Sequence, residues 1–255
     1  GIQVDCVAGT SMGALVGGIY ASGMPVAQIE ELVLSLDWRR MFDDSLERAE
    51  RSYRRKEEDR ATLNTLGVGI NRKGLAIATG VLAGQRILLL FERLTQPVST
   101  IEHFDDLPIP YRAIATDLNT GEAAVLDHGN LALAMRASMS LPGIFDPAVM
   151  NGRVLLDGGL VNQVPIDVVR DMGAEVVIAV DVGTPLATLD ANASLLAVLG
   201  QMTGMMTVGN TRAQIATLRG QDVLLTPALG DKVATADFGK GLEALAIGKE
   251  AADAA

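Results

Sequence analysis

One stretch near the start of the chain constrains the fold most: residues 4–20, with the sequence VDCVAGTSMGALVGGIY. Its first half is a short apolar run typical of a buried strand, and its second half has the small and apolar pattern of a helix. Gly9-Thr10-Ser11-Met12-Gly13 lies between the two. A strand that turns sharply into a helix strains its central residue, and glycine on both sides removes Cβ atoms that would clash. The stretch therefore predicts a tight strand–turn–helix unit with Ser11 at its apex.

The central serine of this turn has two interpretations. In the first, its hydroxyl projects from the end of a sheet at a helix N-terminus, where a nascent alkoxide or a tetrahedral oxyanion is stabilised. Ser11 is then a nucleophile. In the second, the turn is a tight connection whose small residues only permit close packing. The strand–turn–helix context favours the nucleophile.

Composition and charge exclude several function classes. The 255 residues are enough for one large core, and the formal net charge of −10 argues against a nucleic-acid partner. The single cysteine, Cys6, excludes an internal disulfide framework and is expected to be inert core. Two histidines and one cysteine make a metal site unexpected, and no phosphate-loop motif indicates a nucleotide cofactor. No apolar run has the length of a membrane span.

Strand and helix patterns alternate along the remaining chain, which predicts an α/β fold with a mostly parallel sheet covered on both faces. Helices are predicted at Val26–Leu36, Val81–Leu94, Leu131–Met139, Pro165–Met172, Ser194–Leu218 and Leu242–Ala254. Strands are predicted at Tyr111–Leu118, Glu122–Leu126, Glu175–Val182 and Val223–Leu225, with a hairpin about Asn151-Gly152. The run Glu175–Val182 is the clearest buried strand.

Two features keep two interpretations each. Glu47–Arg60 mixes both charges, and a solvated helix is the plainer interpretation. The alternative is that its Arg54-Arg55-Lys56 cluster contacts phosphate headgroups. Met202, Met205 and Met206 have helical spacing, which favours core packing over an adaptable binding surface.

A serine nucleophile needs a base, and histidine is the usual one. His103 and His128 are the two histidines of the chain, and both precede Asp157, the best acid candidate. With that acid, the order serine, acid, histidine of the α/β-hydrolases is impossible here. Both histidines are therefore expected at the surface.

Asp157 is the better candidate for the base. It follows Val154-Leu155-Leu156 and precedes Gly158 and Gly159, so its carboxylate is expected at a strand end, where α/β sheets bind their ligands. Partial burial would raise its low pKa, which makes a dyad with Ser11 physically reasonable. A turn-forming aspartate before two glycines is the alternative.

Three stretches of the chain form an ordered set of motifs: Gly9–Gly13 (GTSMG), Ala137–Pro147 (ASMSLPGIFDP) and Asp157–Pro165 (DGGLVNQVP). In these motifs and their order, the chain resembles the patatin-like phospholipase family. The resemblance implies a three-layer α/β/α fold and a single catalytic domain over residues 1–255. It also implies a lipid acyl hydrolase of the phospholipase A type, which works through an acyl-enzyme without metal or cofactor. The implied dyad is Ser11 and Asp157, and the implied motif glycines are Gly9, Gly13, Gly158 and Gly159.

One feature of the family is missing from this sequence. Its glycine-rich oxyanion loop, G-G-G-x-[RK]-G, belongs to a strand and turn that would precede Gly1, so the domain is expected to lack both. The backbone N–H of Met12 remains as one oxyanion donor. A catalytically silent module that binds lipid or a partner on the same fold is therefore the alternative to a hydrolase.

Three further stretches look most like the bacterial branch of the family: Asp37-Trp38, Ser52–Lys56 and Phe104–Pro110. Some members of that branch are joined to an outer-membrane β-barrel. This implies secretion or display at the surface of a Gram-negative bacterium, with a cytoplasmic location as the alternative. The implied partners are a phospholipid or another acyl-ester lipid and a membrane contacted peripherally, and a homodimer would orient two sites to one membrane. The apolar segment Leu63–Leu94 is expected to border an acyl channel near Ser11.

Overall fold

Helices and strands alternate in a computed structural model, which describes residues 2–38, 68–71, 74–77, 80–82, 84–190, 192–230, 233 and 238–255. The strands are β1 (Val7–Thr10), β2 (Val68–Asn71), β3 (Gly74–Ile77), β4 (Gly80–Leu82), β5 (Tyr111–Asp117), β6 (Ala123–Leu126), β7 (Gly143–Phe145), β8 (Ala148–Met150), β9 (Arg153–Asp157), β10 (Ile178–Val180) and β11 (Val223–Leu225). The helices are α1 (Met12–Ala21), α2 (Val26–Ser35), α3 (Gln85–Leu94), α4 (Leu131–Ser138), α5 (Ile166–Asp171), α6 (Leu195–Ile215) and α7 (Gly241–Asp253). Short 3-10 turns lie at Gln96–Val98, Phe104–Asp106, Gly158–Leu160 and Phe238–Lys240. The predicted α/β class is confirmed.

The central sheet is built around β5. Along one edge, β5 pairs with antiparallel β6 over residues 113–116. Along the other edge it pairs first with parallel β1, where Thr10 is opposite Ile114. It then pairs with antiparallel β9, where Asp157 is opposite Ala115, and β8 extends the sheet beyond β9. The C-terminal ends of β1 and β9 therefore meet on one edge of one strand.

This sheet is mixed, so the prediction of a mostly parallel sheet is wrong. β1 and β5 are parallel, whereas the pairs β5–β6, β5–β9 and β8–β9 are antiparallel. Short connections account for β5–β6 and β8–β9, because a hairpin can join only antiparallel strands, whereas β5 and β9 are far apart in the chain. Asn151 and Gly152 have φ angles of 51° and 76°, the positive values that a type I′ hairpin turn requires. The hairpin was predicted at this position, but its effect on the strand directions was not.

Helices α1 and α4 pack on β5, and α1 also packs on β1. Small residues let α1 approach its neighbours, since a Cβ at Gly18 would lie 2.8 Å from the Met135 Sδ atom. The buried Tyr111 hydroxyl donates a 2.7 Å hydrogen bond to the Ala14 carbonyl, which ties α1 to the sheet. The largest fully buried side chains include Tyr111, Phe91, Phe104, Leu15, Ile19, Ile87 and Met135. This core fixes the helix that follows Ser11.

The strand β10 is only half-buried, so the prediction that Glu175–Val182 is the clearest buried strand is wrong. It pairs with β11 in a two-stranded parallel sheet. Val177 and Ala179 are buried, whereas Val176, Ile178 and Val180 are 44–54% exposed. Successive side chains point to opposite faces of a strand, so one face of this strand packs and the other is open. An uninterrupted apolar run cannot indicate that difference.

Helix α6 exposes its methionines, so their core interpretation is wrong. Met202, Met205 and Met206 are 50–56% exposed, and Val198 is 40% exposed. Helical spacing shows that residues share a face, but not whether another element covers that face. Of the helices that the structure describes, none has the length and hydropathy needed to cross a membrane.

Some predictions lie wholly or partly outside the described residues. Glu47–Arg60, with its Arg54-Arg55-Lys56 cluster, is one of them. Within Leu63–Leu94, the described parts form β2, β3, β4 and α3, so the helix predicted from Val81 begins only at Gln85. Strand β4 pairs in parallel with β7, which follows α4 in the chain. The single domain over residues 1–255 stays a prediction.

Candidate active site

Ser11 forms the turn between β1 and α1 and has a strained backbone. Its φ of 54° and ψ of −118° lie in a region that residues other than glycine rarely adopt. Such strain costs about 1–3 kcal/mol and persists only where the surroundings enforce it. The predicted sharp turn is therefore present. Met12 is the first residue of α1, so its N–H is among those that have no acceptor within the helix.

The two glycines around Ser11 differ in their surroundings. A Cβ at Gly9 would lie 2.3 Å from the Gly13 carbonyl oxygen, so glycine is required at position 9. A Cβ at Gly13 would meet no atom within 4 Å among the residues that the structure describes. Relief of a clash therefore explains Gly9 and does not explain Gly13, contrary to the prediction for both. Gly13 instead leaves open space beside Ser11.

Asp157 ends β9 and is almost completely buried, with 2% of its surface exposed. Its Oδ1 atom accepts a 2.8 Å hydrogen bond from the Gly159 N–H at the start of the turn Gly158–Leu160. Its Oδ2 atom has no hydrogen-bond partner in the described part of the chain. The turn-forming interpretation and the chemical one are therefore compatible, because each uses a different oxygen.

Burial raises the pKa of Asp157 to about 6, because the carboxylate loses its solvation in the protein interior. The Ser11 side chain and the Gly159 N–H lower this pKa, since both stabilise the charged form. The Ser11 hydroxyl thus lies near the carboxyl group, although it makes no hydrogen bond to Oδ2. A group with a pKa near 6 is suited to accept and release protons close to neutral pH.

Gly158 and Gly159 let the turn after Asp157 pack tightly. A Cβ at Gly158 would lie 2.2 Å from the Ile114 carbonyl oxygen, and one at Gly159 would lie 2.4 Å from Gln163 Oε1. The first clash is with backbone, so no side-chain rotation could relieve it. The close approach predicted at these glycines is therefore an approach of β5 to the turn.

A buried hydroxyl connects the turn at Ser11 to β5. The Ser138 Oγ atom accepts a 2.9 Å hydrogen bond from the Ser11 N–H and donates a 2.5 Å hydrogen bond to the Ile114 carbonyl. Sequence reasoning assigned Ser138 no role. The available signal was its place in the stretch ASMSLPGIFDP, which the family resemblance had already singled out.

Two threonine side chains tie the ends of β1 and β9 to their neighbours. Thr10 Oγ1 donates a 2.6 Å hydrogen bond to the Asn162 carbonyl, which joins the end of β1 to the loop after β9. Thr116 Oγ1 donates a 2.7 Å hydrogen bond to the Asp157 carbonyl, which joins β5 to the end of β9. Both threonines are buried, and neither carries a sequence signal for this role.

Helix α6 supports the turn after Asp157 through polar side chains. Asn210 Nδ2 donates a 2.9 Å hydrogen bond to the Gly159 carbonyl, and Thr207 Oγ1 donates one of 3.1 Å to the same oxygen. The Gln163 N–H donates a 2.9 Å hydrogen bond to Asn210 Oδ1. The helix that exposes its methionines is therefore bonded directly to the turn that holds the buried carboxyl.

The two histidines lie beside each other. His103 and His128 form an isolated antiparallel bridge, with ring centroids 6.3 Å apart. His128 Nδ1 lies 2.6 Å from Asp127 Oδ1, and the His128 side chain is 52% exposed. In the described part of the chain, no hydrogen bond or ring contact joins either histidine to Ser11 or Asp157.

Other reactive side chains add little to this site. Burial raises the pKa of the Cys6 thiol, which keeps it in the less reactive protonated form. Cys6 is half-buried and lies just before β1, so the expected core position is only partly reached. Among the residues that the structure describes, no group of three or more histidine, cysteine, aspartate or glutamate side chains could hold a metal ion.

Comparison with known proteins identifies the family. The family described as "Patatin-like phospholipase" matches residues 1–170, which include the turn at Ser11, the Ser138 stretch and Asp157. The chain belongs to the patatin-like phospholipase family. This membership accounts for the α/β fold.

Relatives from distant organisms share this patatin-like region. An uncharacterized NTE family protein of Mycobacterium tuberculosis is 31% identical over 180 residues, which cover 71% of this chain and 41% of that protein. A patatin-like phospholipase domain-containing protein of Caenorhabditis elegans is 35% identical over 192 residues, or 72% of this chain and 12% of that protein. Patatin-like phospholipase domain-containing protein 7 of Rattus norvegicus is 31% identical over 186 residues, with the same two coverages. The chain thus spans less than half the length of these relatives.

Proposed function

We propose that this chain is a lipid acyl hydrolase of the phospholipase A type, with Ser11 as nucleophile and Asp157 as general base. One observation carries the proposal: β1 and β9 end opposite neighbouring residues of β5, so Ser11 and Asp157 leave the sheet at one point. A strained serine at a helix N-terminus and a buried carboxyl oxygen without a described hydrogen-bond partner support the assignment. Family membership supports a lipid as the substrate.

In the first half of the reaction, Asp157 Oδ2 accepts the proton of the Ser11 hydroxyl while Oγ attacks the ester carbonyl carbon. The carbonyl electron pair moves onto oxygen and forms a tetrahedral oxyanion. When the carbonyl re-forms, the bond to the alcohol oxygen breaks, and Asp157 returns its proton to that oxygen. The products are the free alcohol, a lysolipid for a phospholipid substrate, and an acyl ester on Ser11.

In the second half, water takes the place of the alcohol. Asp157 removes a proton from the water as its oxygen attacks the acyl carbonyl carbon, and a second tetrahedral oxyanion forms. Collapse of this species breaks the bond to Ser11 Oγ, which regains a proton from Asp157. The fatty acid leaves and both residues return to their starting states. A carboxyl with a pKa of about 6 suits both directions of transfer.

The N-terminus of α1 supplies the positive end of a helix to each oxyanion. The Met12 N–H directly follows Ser11 and serves as a donor, and α1 has no side-chain N-cap hydrogen bond that would compete for its first turn. A single oxyanion donor is worth roughly 10²–10³ in rate. The open space beside Gly13 gives a substrate carbonyl access to this helix end. The glycine-rich loop of the family would add further donors.

We also propose that the methionine face of α6 contacts the lipid surface from which the substrate is drawn. Met202, Met205, Met206 and Val198 are exposed together on a helix that is bonded to the Gly159 carbonyl. No charged residue lies between Asn192 and Thr211, although the chain carries a net charge of −10. A charge-free apolar face is not repelled by an anionic bilayer, and flexible methionine side chains adapt to a disordered surface. The Arg54-Arg55-Lys56 cluster stays a second predicted contact.

A catalytically silent module that binds lipid or a protein partner is the second candidate. One observation favours it: no hydrogen bond joins the Ser11 hydroxyl to Asp157 Oδ2 among the described contacts. In an unliganded site such a bond is often long and shortens only when the substrate binds. The hydrolase therefore remains the better-supported function. A reactive Ser11 is expected of the hydrolase and not of the silent module.

The finer family assignment and the location are proposals that rest on sequence resemblance. Within the stretch Phe104–Pro110, Phe104 is fully buried and Asp105 pairs with Arg112 at 2.7 Å, so core packing accounts for Phe104 and an ion pair for Asp105. We propose that the protein is secreted or displayed by a Gram-negative bacterium, with a cytoplasmic location as the alternative. We also propose that the protein forms a homodimer, which light scattering during size-exclusion chromatography would test.

Labelling with a fluorophosphonate probe tests the proposed function. The probe should attach to Ser11, as shown by mass spectrometry of the digested protein, and Ser11→Ala should remove both the label and hydrolysis of short-chain esters. Ser99→Ala is the matched control, because the Ser99 hydroxyl is exposed and, within the described part of the chain, bonds only to the nearby Gln96 carbonyl. Vesicle binding without labelling or hydrolysis by the wild-type protein would favour the silent module instead.

A further inference from the structure

Ser138 joins two parts of the site, the turn at Ser11 and β5, although it lies at the end of a helix outside them. It is the last residue of α4 and is fully buried, with 0% of its surface exposed. Its hydroxyl accepts the Ser11 N–H and donates to the Ile114 carbonyl, at 2.9 and 2.5 Å. Ile114 is the residue of β5 opposite the end of β1.

The Ser138 hydroxyl gives the Ser11 N–H the hydrogen-bond acceptor that strand pairing no longer provides. Thr10 is the last residue of β1 that pairs with β5, and Ser11 then leaves the strand with a φ of 54°. A buried N–H without a partner is costly, so the Ser11 amide must bond elsewhere. The Ser138 hydroxyl accepts this N–H and, through its own proton, remains connected to β5.

The Ile114 carbonyl is also the atom against which the Asp157 turn packs. A Cβ at Gly158 would lie 2.2 Å from this oxygen, so the Gly158 backbone approaches it closely. Ala115, the next residue of β5, is opposite Asp157. Ser138 therefore connects the Ser11 backbone to a carbonyl that also borders the turn after Asp157.

We propose that Ser138 is a positioning residue, which fixes the peptide plane before Ser11 and thereby aims the Ser11 hydroxyl at Asp157. The inference rests on the proposed function. The Ser138 proton is donated to Ile114, and one lone pair accepts the Ser11 N–H, so Ser138 acts through Ser11 and does not touch the substrate. Misplacement of a reacting group by about 1 Å can lower a rate roughly 10²-fold.

Ser138→Ala tests the proposal, with Ser140→Ala as its matched control. Ser140 is equally buried and lies two residues further on, but its hydroxyl bonds to Arg136 and not to Ser11. Ser138→Ala should lower kcat roughly tenfold to hundredfold with little change in KM and should slow fluorophosphonate labelling equally. Ser140→Ala should keep kcat even where its loss of Tm is as large. Equal kcat values for the two variants would overturn the proposal.

Two further measurements test the role of Ser138: the kcat of Ser138→Cys, and hydrogen exchange of the Ser11 amide, which does not depend on lipid hydrolysis. The thiol of Ser138→Cys is a weaker hydrogen-bonding group of similar shape, so its kcat should fall between those of serine and alanine. Exchange of the Ser11 amide should be faster in Ser138→Ala than in Ser140→Ala, whether or not the protein hydrolyses lipid. Unchanged exchange would overturn the positioning role. Faster exchange in a protein without any Ser11-dependent activity would instead overturn the proposed function and keep the bridge.

Discussion

Thr10 and Asp157 lie opposite neighbouring residues of β5, Ile114 and Ala115, although their strands run in opposite directions. The parallel strand β1 and the antiparallel strand β9 therefore end at the same place on one edge of β5. The residue after Thr10 is Ser11, so a serine and a buried carboxyl group emerge together from strands almost 150 residues apart in sequence. The mixed character of the sheet, which the sequence did not predict, creates this meeting point.

Asp157→Asn is expected to lower ester hydrolysis as severely as Ser11→Ala, roughly 10⁴-fold or more, because a nucleophile and its base act as a unit. The amide keeps an oxygen that can accept the Gly159 N–H, so the turn should survive. Steady-state kinetics with a short-chain ester, alongside thermal unfolding, would check this prediction.

His103→Ala and His128→Ala should each retain most of the activity. The two histidines contact each other and Asp127, and neither is bonded to Ser11 or Asp157 in the described residues. The same ester assay applies. If either variant were as inactive as Ser11→Ala, a histidine would be the base and the assignment to Asp157 would be wrong.

Asp157→Asn is also expected to make the folded protein more stable at neutral pH. The folded-state pKa of about 6 lies above the value near 3.8 for an unperturbed aspartate, so between these values the folded state binds more protons than the unfolded state. The stability that the protonated form confers is present below about pH 4 and is lost as the pH rises through about 6. An amide does not titrate, so the variant's advantage should reach about 3 kcal/mol by pH 8.

Urea unfolding of the wild type and the variant across this pH range would measure the difference. Asp117→Asn is a control of opposite sign, because the hydrogen bond from Arg153 and the Asn119 N–H hold the pKa of Asp117 below its usual value. That variant should lose stability relative to the wild type as the pH rises. A variant Asp157→Asn that gains nothing on going from acidic to neutral pH would show that the wild-type carboxyl is not destabilised by burial.

Hydrolysis should fall on the acid side of about pH 6, because Asp157 must be ionised to accept the Ser11 proton. The plot of log kcat/KM against pH should have unit slope below this value, and it should keep the same midpoint in His103→Ala and His128→Ala. A midpoint that moved with either histidine would assign the titration to that ring.

The local features of the fold could be predicted from the sequence, because they depend on neighbouring residues. Glycine spacing indicated the turn at Ser11, and Asn151-Gly152 indicated a hairpin that has the expected positive φ angles. The bounds of β11 were predicted as they stand, since Val223–Leu225 is a short apolar run between polar residues.

The contacts that build the site could not be predicted in this way. Ser11 and Ser138 are bonded across 127 positions of sequence, and no local pattern fixes such a pair. The pairing of Ser11 with Asp157 was inferred from family resemblance and a predicted strand end, and neither gives the strand register. The predictions that α6 and β10 are buried failed for a related reason, because burial depends on which other elements pack over a face.

Gly9→Ala and Gly13→Ala should behave differently although both change the same motif. The new Cβ at position 9 would lie 2.3 Å from backbone, so this variant should unfold or lose several kcal/mol of stability, on the order of 3 or more. At position 13 the methyl group enters open space within the first turn of α1, so Tm should stay or rise slightly. Activity of Gly13→Ala should fall, because the methyl group fills the space proposed for the substrate carbonyl. Full activity would show that this space is not used.

Replacing the methionine face of α6 should weaken binding to lipid without affecting the chemistry. The variant with Met202, Met205 and Met206 all changed to Gln keeps the side-chain length and the helix propensity while making the face polar. Co-sedimentation with phosphatidylcholine vesicles should drop roughly tenfold or more, since three half-exposed apolar side chains lose their burial in the membrane. Hydrolysis of a short water-soluble ester should be unchanged.

The matched control changes Val26, Leu89 and Leu242 to Gln, because these side chains are even more exposed, at 62–72%, and none of them lies on α6. Equal losses of vesicle binding in the two triple variants would mean that general surface hydrophobicity, and not the methionine face of α6, brings the protein to lipid.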